Sequence, residues 1–256
     1  MPVNQKASLE AAYVLHQRPY KDTSLLLDVF TANHGRVGLV ANGVRKKKGR
    51  WQSVLQPFVP VLISWRGRGE LQTVTDVEAT SGALCLSGKF LFSAFYINEL
   101  LTYLLHRHDA YPQLFERYHD VLYQLTALQN GSFDSPILEV LLRIFERDLL
   151  EIIGYGLALE CCVSTGDDIQ ADKRYQYVLG MGPNIAEGGR ERGEFKGASL
   201  IALRQGSLDN VDALRDAKRL LKAALDQQLD GRPIKSRQLM LDLLRTTGDN
   251  AKANRT

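Results

Sequence analysis

The hydrophobic period of this chain changes once, near residue 86, and that change limits the fold more than any other feature. Before it lie five short segments, AAYVLHQ, SLLLDVFT, GRVGLVAN, LQPFVPVLISW and ELQTVTDVE, rich in β-branched, leucine and aromatic residues. Turn material separates them: RPYKD, ANHG, the basic stretch GVRKKKGRW, and RGRG. In the fifth segment Leu71, Thr73 and Thr75 alternate with Gln72, Val74 and Asp76, the period of two that a strand requires. Five strands in about 80 residues with no helix between them predict a small, curled antiparallel barrel. The five-stranded OB-fold is one such architecture and binds oligonucleotides; an SH3-like barrel has the same strand count, and counting alone leaves both open.

After the change, FLFSAFYINELLTYLLHRH sets Leu91, Phe95, Leu100, Tyr103 and Leu104 at helical spacing. YPQLFERYHDVLYQLTAL follows a break at Tyr111-Pro112. DSPILEVLLRIFERDLLEIIG opens on Ser135 as N-cap and Pro136 at the first helical position, carries an apolar stripe from Leu138 to Ile152, and ends at Gly154. Residues 155–197 are irregular, with one candidate hairpin strand, RYQYVLG, and a loop rich in glycine and charge. VDALRDAKRLLKAALDQQL and SRQLMLDLLR read as two closing helices. The expected class is therefore α+β and multi-domain: an OB-fold nucleic-acid-binding domain over 1–80, a mainly α-helical domain with the irregular insert over 81–245, and a disordered tail over 246–256.

Composition narrows the partners. The apolar and charged fractions, 45% and 24%, are those of a soluble globular protein. The most apolar run, LFSAFYINELLTYLL, carries Glu99 and is shorter than the roughly 20 residues of a membrane span. The N-terminus lacks a secretory h-region, and three cysteines, two of them adjacent, form no even disulfide framework. A cytoplasmic, reducing compartment is the expectation. Net charge is +3 but uneven: residues 1–80 hold 11 basic against 6 acidic residues, whereas 81–256 hold 21 against 23. A basic first third points to a polyanion.

The candidate contacts follow from that asymmetry. GVRKKKGRW sets Arg45, Lys46, Lys47, Lys48 and Arg50 beside Trp51, between the third and fourth strands. Trp65, Arg66 and Arg68 close the fourth strand, and Arg36 lies in the third. Phosphates need charge and single-stranded bases need flat surfaces, so this combination is read as a grip on nucleic acid rather than a merely solvated loop. Trp51 and Trp65 are read as stacking platforms or as anchors of their loops on the core. Late in the chain, Lys235 and Arg237 flank Ser236 at a helix start whose free N–H groups favour anions. Structural zinc needs four ligands, typically two spaced pairs; Cys161 and Cys162 are adjacent and Cys85 is remote, so buried, unreactive thiols are expected. No phosphate loop, nucleophile elbow or paired-carboxylate pattern occurs, and the chain reads as non-enzymatic, without metal or cofactor.

In order and spacing, several blocks resemble the bacterial RecO recombination mediators. They are AYVLHQRPYKDTSLLLDVFTANHGRVGLVANGVRK, the QPF and GRGEL runs, LSGKFLFSAFYINELL, RIFERDLLEIIGYG and GRPIKSRQLM. YINELL and FE-x-x-LL-x-x-x-GYG are the most distinctive. The resemblance implies an OB-fold joined to a helical domain, binding to single- and double-stranded DNA, and annealing of complementary strands at the nucleoid. It also implies cooperation with RecR in replacing single-strand-binding protein by RecA, and contact with the acidic, hydrophobic C-terminal tail of single-strand-binding protein. Lys89, Arg107, Arg143 and Arg147, on or beside the apolar helices, are the candidate cations for that tail. Zinc-bearing members carry four cysteines after the GY; this chain has Cys161 and Cys162 there and resembles the metal-free branch. A protein–protein adaptor working through the helical domain and an RNA-binding or annealing module are the alternatives.

Overall fold

The computed structural model describes residues 4–46, 49–69, 71–131, 135–186 and 193–239. It divides into two compact units, Met1–Ser132 with Pro233–Thr256, and Phe133–Arg232.

The first unit is built on a closed barrel of β1 (Asn4–Tyr20), β2 (Ser24–Thr31), β3 (Gly35–Ala41), β4 (Val61–Arg68) and β5 (Leu71–Ala79), in the order β1-β2-β3-β5-β4. Its crossed order, with β3 and β5 parallel, is that of an OB-like barrel rather than a simple meander. β1 is long enough to pair with both β2 and β4 because its register shifts at Ala7/Glu10 and again at Val14/His16. At the first shift Leu9 takes φ 53° and gives its N–H to Ser64 Oγ at 3.0 Å, the local bend by which one strand serves two ladders. Alternate residues fill the interior, among them Val14, Leu27, Val29, Val37, Leu39, Ile63 and Trp65.

The outer face of the barrel carries helices α1 (Gly88–Leu104) and α2 (Pro112–Asn130). Tyr13 and Phe30 project outward onto the ring of Tyr118, with centroids 5.1 and 6.0 Å away. Asn98 of α1 ties the layers together, donating to Leu15 O at 3.0 Å and accepting from Tyr118 at 2.6 Å. The turn before β3 approaches the α1–α2 connection so closely that a Cβ on Gly35, at φ 64°, would lie 1.8 Å from Asp109 O. Only glycine satisfies both demands. The helices are therefore part of the same packed body as the barrel.

The second unit holds α3 (Ser135–Ile152), a three-stranded sheet, α4 (Gly197–Gln205) and α5 (Val211–Gln228). The sheet consists of β6 (Arg174–Val178), β7 (Gly182–Ile185) and β8 (Glu194–Lys196) in the order β7-β6-β8, so the strand expected in RYQYVLG is its centre. Asn210 caps α5 by accepting from Ala213 N–H at 2.8 Å. No described helix is long and apolar enough to cross a membrane.

Candidate nucleic-acid interface

The basic stretch is seated before it is exposed. Val44 is buried in the barrel core, and Arg45 gives its backbone N–H to Thr23 O at 2.9 Å and its guanidinium to Lys21 O at 3.4 Å. This places the loop beside the β1–β2 turn. Gly49 folds back under it, because a Cβ there would lie 1.8 Å from Val44 O. The Arg45 and Lys46 side chains are exposed; Lys47 and Lys48 lie outside the described residues. Arg50 crosses to β5 and meets Asp76 at 3.2 Å with three-quarters of its side chain in solvent. Trp51 is half-buried, packed against the barrel core with the Arg50 guanidinium 5.6 Å from its ring centre.

Arg66 and Arg68 are exposed at the end of β4. Arg66 stands between Lys6 of β1 and Thr73 of β5, and all three project outward, since the adjoining Ala7, Trp65 and Val74 point into the core. Thr73 and Asp76 are about 10 Å apart along β5. Arg50 and Arg66 thus reach one wall of the barrel, formed by β1, β4 and β5. Lys6, Arg66 and Arg68 have no carboxylate partner among the described residues. Like charges directly opposed on a ladder are unfavourable, and Lys6 and Arg66 are such a pair. Lys6 is absent from the sequence-derived candidates because nothing local in the sequence reveals which residue of β1 lies opposite Arg66.

Three expectations are corrected. Trp65 is 1% exposed, with its ring among the core residues and edge-on to His34 at 5.2 Å. It follows Val61 and Ile63 in the inward alternation of β4, and no face of it is free to stack on a base. Arg36 bonds Asp28 at 3.2 Å and the carbonyl of Thr102, joining β3 to the end of α1, with 14% of its side chain exposed. The helix start at Ser236 already holds an anion belonging to the chain. Glu99 of α1 accepts from Lys235 N and Ser236 N, each at 2.9 Å, and from Ser236 Oγ at 2.7 Å. Burial acts to raise the Glu99 carboxyl, but the hydrogen bonds from Ser236 and Lys235 outweigh it and hold its pKa below the ordinary value. Lys235 keeps an exposed ammonium, whereas Arg237 bonds Tyr96 Oη at 3.1 Å.

The four cations considered for a peptide tail do not form one group. Lys89 opens α1, with its ammonium 5.3 Å from the Phe90 ring centre, and Arg107 lies just past the end of the same helix, 3.5 Å from Asp28. The length of α1 sets them roughly 25 Å apart. In the second unit Arg143 is buried against Glu146. Arg147 bonds Asp148 at 2.7 Å and the carbonyls of Leu203 and Arg204 at 2.9 and 3.2 Å, satisfying the last turn of α4. Cys162 is buried and Cys161 exposed in that unit, and no three His, Cys, Asp or Glu side chains converge among the described residues.

Two family models cover nearly the whole chain: the recombination protein O N-terminal model matches residues 7–83, and its C-terminal counterpart residues 88–238. A DNA repair protein RecO of Coxiella burnetii is 40% identical over 238 residues, 93% of this chain and all of that protein. Those of Methylococcus capsulatus and Nitrosococcus oceani are each 43% identical, over 90% and 96% of this chain and 92% and 98% of theirs. An OB-like barrel, a helical continuation and this full-length similarity lead to one conclusion: the chain belongs to the recombination protein O family of DNA repair proteins.

Proposed function

We propose that the chain acts in recombinational repair by binding single- and double-stranded DNA along the β1–β4–β5 wall and the adjoining basic loop, and by annealing complementary strands there. One observation carries the reading: Lys6, Arg66 and Arg68 are exposed without carboxylate partners among the described residues, on the wall that Arg50 also reaches, with Arg45 and Lys46 exposed on the loop. Charge held on two strands at once lowers their mutual repulsion and lets bases pair, and no covalent step is involved. Of the two tryptophans, Trp51 is the one placed to meet a base. With roughly five phosphates neutralised on a single strand, log K against log salt has a slope of about −3.5. The test is a salt series of anisotropy titrations comparing the intact chain with one carrying alanine at Arg45, Lys46, Lys47, Lys48 and Arg50. Weaker binding with a shallower slope supports the reading. Unchanged binding moves the contact off the loop, and absence of binding by the folded wild type favours the adaptor.

The family resemblance supplies the partners in this proposal: RecR, single-strand-binding protein through its C-terminal tail, and RecA indirectly. For the tail, the geometry favours a site other than the four cations chosen from the sequence. An open groove of about 650 Å³ in the first unit is lined by Leu15, Phe92, Phe95 and Leu239, with Lys235 at its rim. An apolar groove beside an ammonium suits a short acidic peptide ending in an aromatic residue. Lys235→Ala is expected to weaken capture of such a peptide while sparing DNA; equal capture by both proteins removes the groove from the proposal.

A further inference from the structure

β1 is paired on both sides along only part of its length. Its ladder with β4 runs from Asn4 to Ala12, whereas its ladder with β2 begins at Ala12. The β2–β3 turn covers the next two residues back: Ala32 donates its N–H to Ala11 O at 3.0 Å, and Asn33 its N–H to Glu10 Oε1 at 2.6 Å. Beyond that turn, the flank of β1 away from β4 meets no backbone hydrogen-bond partner among the described residues. Residues 4–8 are thus an open strand edge, roughly 17 Å long and about the length of an ordinary strand. In a ladder alternate residues point their backbone groups to opposite sides, so part of this backbone faces outward with its donors and acceptors unused.

Two side chains on that edge lack an internal explanation. Lys6 has the like charge of Arg66 directly opposite on the β4 side, and no carboxylate partner among the described residues. Since Arg66 occupies one flank of Lys6, the open flank is the place left for a carboxylate. Leu9, where the edge ends, takes φ 53° and is 52% exposed. Left-handed backbone is unfavourable for a residue with a Cβ, and here it delivers a leucine to solvent rather than to the core. Lysine on an open edge is a common defence against pairing with another edge of the same kind. That defence accounts for Lys6 but not for Leu9.

We infer that the open edge at residues 4–8 receives an extended acidic segment of a partner protein, which adds to the β1–β4–β5 wall as a further strand. The backbone of the segment pairs with the outward amides and carbonyls of β1. A carboxylate beside Lys6 supplies the opposite charge it lacks, and an apolar side chain covers Leu9. A second copy of this chain is a poor occupant, because two such edges laid together set Lys6 and Arg66 of one against those of the other. A DNA strand meets the cations, but its sugar–phosphate backbone carries no donor for the carbonyls of the edge. The inference stands apart from the DNA reading, although both use Lys6.

The experiment uses the full chain and a fluorescein-labelled seven-residue peptide that alternates glutamate and valine, read by anisotropy. Three further peptides accompany it: the lysine–valine counterpart, and two glutamate–valine peptides each N-methylated on one alternate set of amides. The acidic peptide is expected to bind and the basic one not. Of the methylated pair, one is expected to lose at least about tenfold and the other to keep its affinity, because only one set of amides faces the edge. Hydrogen exchange over residues 4–8 is expected to slow on binding. Lys6→Glu and Leu9→Gly, the latter free to adopt the positive φ, are each expected to weaken the acidic peptide by about fivefold, with circular dichroism establishing their folding. Equal binding of the two methylated peptides, unchanged hydrogen exchange, or full affinity in either folded variant overturns strand addition. A folded wild type that binds no peptide also overturns it, and if its oligonucleotide binding still responds to Lys6→Glu, the cation serves nucleic acid alone.

Discussion

Lys6 of β1 and Arg66 of β4 stand directly opposite each other across the ladder, both exposed, with no carboxylate partner among the described residues. Such a pair is kept at a loss in stability. Lys6→Glu replaces repulsion by attraction and is expected to stabilise the barrel by roughly 0.2–1 kcal/mol. It is also expected to weaken single-stranded DNA binding and to make the salt slope shallower by about 0.7 for each phosphate left without its cation. Urea melts and salt-series titrations of the same preparation check both. A more stable variant with wild-type binding and slope takes Lys6 out of the DNA path.

The two tryptophans separate by experiment because the chain has no others. Trp65→Phe leaves Trp51 as the sole indole, and its fluorescence is expected to change on titration with a single-stranded oligonucleotide. Trp51→Phe leaves the buried Trp65, whose emission is expected to stay constant. Trp65→Ala, by contrast, empties the barrel core and costs about 3–5 kcal/mol. A fluorescence response confined to Trp65 would reverse the assignment.

The fold was legible where local pattern decides it. Five β-rich segments and a later helical period are written in the order of residues, and they became the barrel and the helices α1 to α3. The site was legible only in part, because charge is visible in sequence and register is not. GVRKKKGRW declares itself, but the partnership of Lys6 with Arg66 depends on a register shift at Ala7/Glu10 that no local motif signals. Trp51 and Trp65 look alike as letters, and strand alternation buries one and leaves the other half-exposed. The helix start at Ser236 reads as an open anion site until Glu99, 137 residues earlier, is seen to fill it. In β5 the alternation is plain in sequence, but which of Leu71 and Gln72 faces the core is settled by the strands on either side.

The Glu99 clamp carries a pH signature. Its folded pKa lies below the ordinary carboxylate value, so the proton binds more weakly to the folded than to the unfolded chain. The stability it contributes is fully present above the unfolded pKa and is lost as pH falls through the folded one. Glu99→Gln is expected to lower stability at neutral pH and to flatten the part of the acid-induced decline that Glu99 supplies. Urea midpoints taken between about pH 7 and pH 3 for both proteins test this. Parallel curves, displaced without change of shape, would show that the hydrogen bonds from Ser236 do not hold the carboxylate ionised.

Arg36 separates a structural cation from a DNA-binding one. Its guanidinium spans Asp28 and the Thr102 carbonyl, and only about one-seventh of the side chain of either ion reaches solvent. Arg36→Ala leaves Asp28 with Arg107 as its one remaining described ion pair, at 3.5 Å and partly exposed. Breaking a buried pair from one side costs about 3 kcal/mol, because the remaining charge loses its compensation. The variant is expected to unfold at lower urea yet, once folded, to bind single-stranded DNA with the wild-type salt slope. Asp28→Asn with Arg36→Met removes both charges and is expected to recover much of the lost stability. A shallower salt slope in folded Arg36→Ala would instead place a phosphate on this guanidinium.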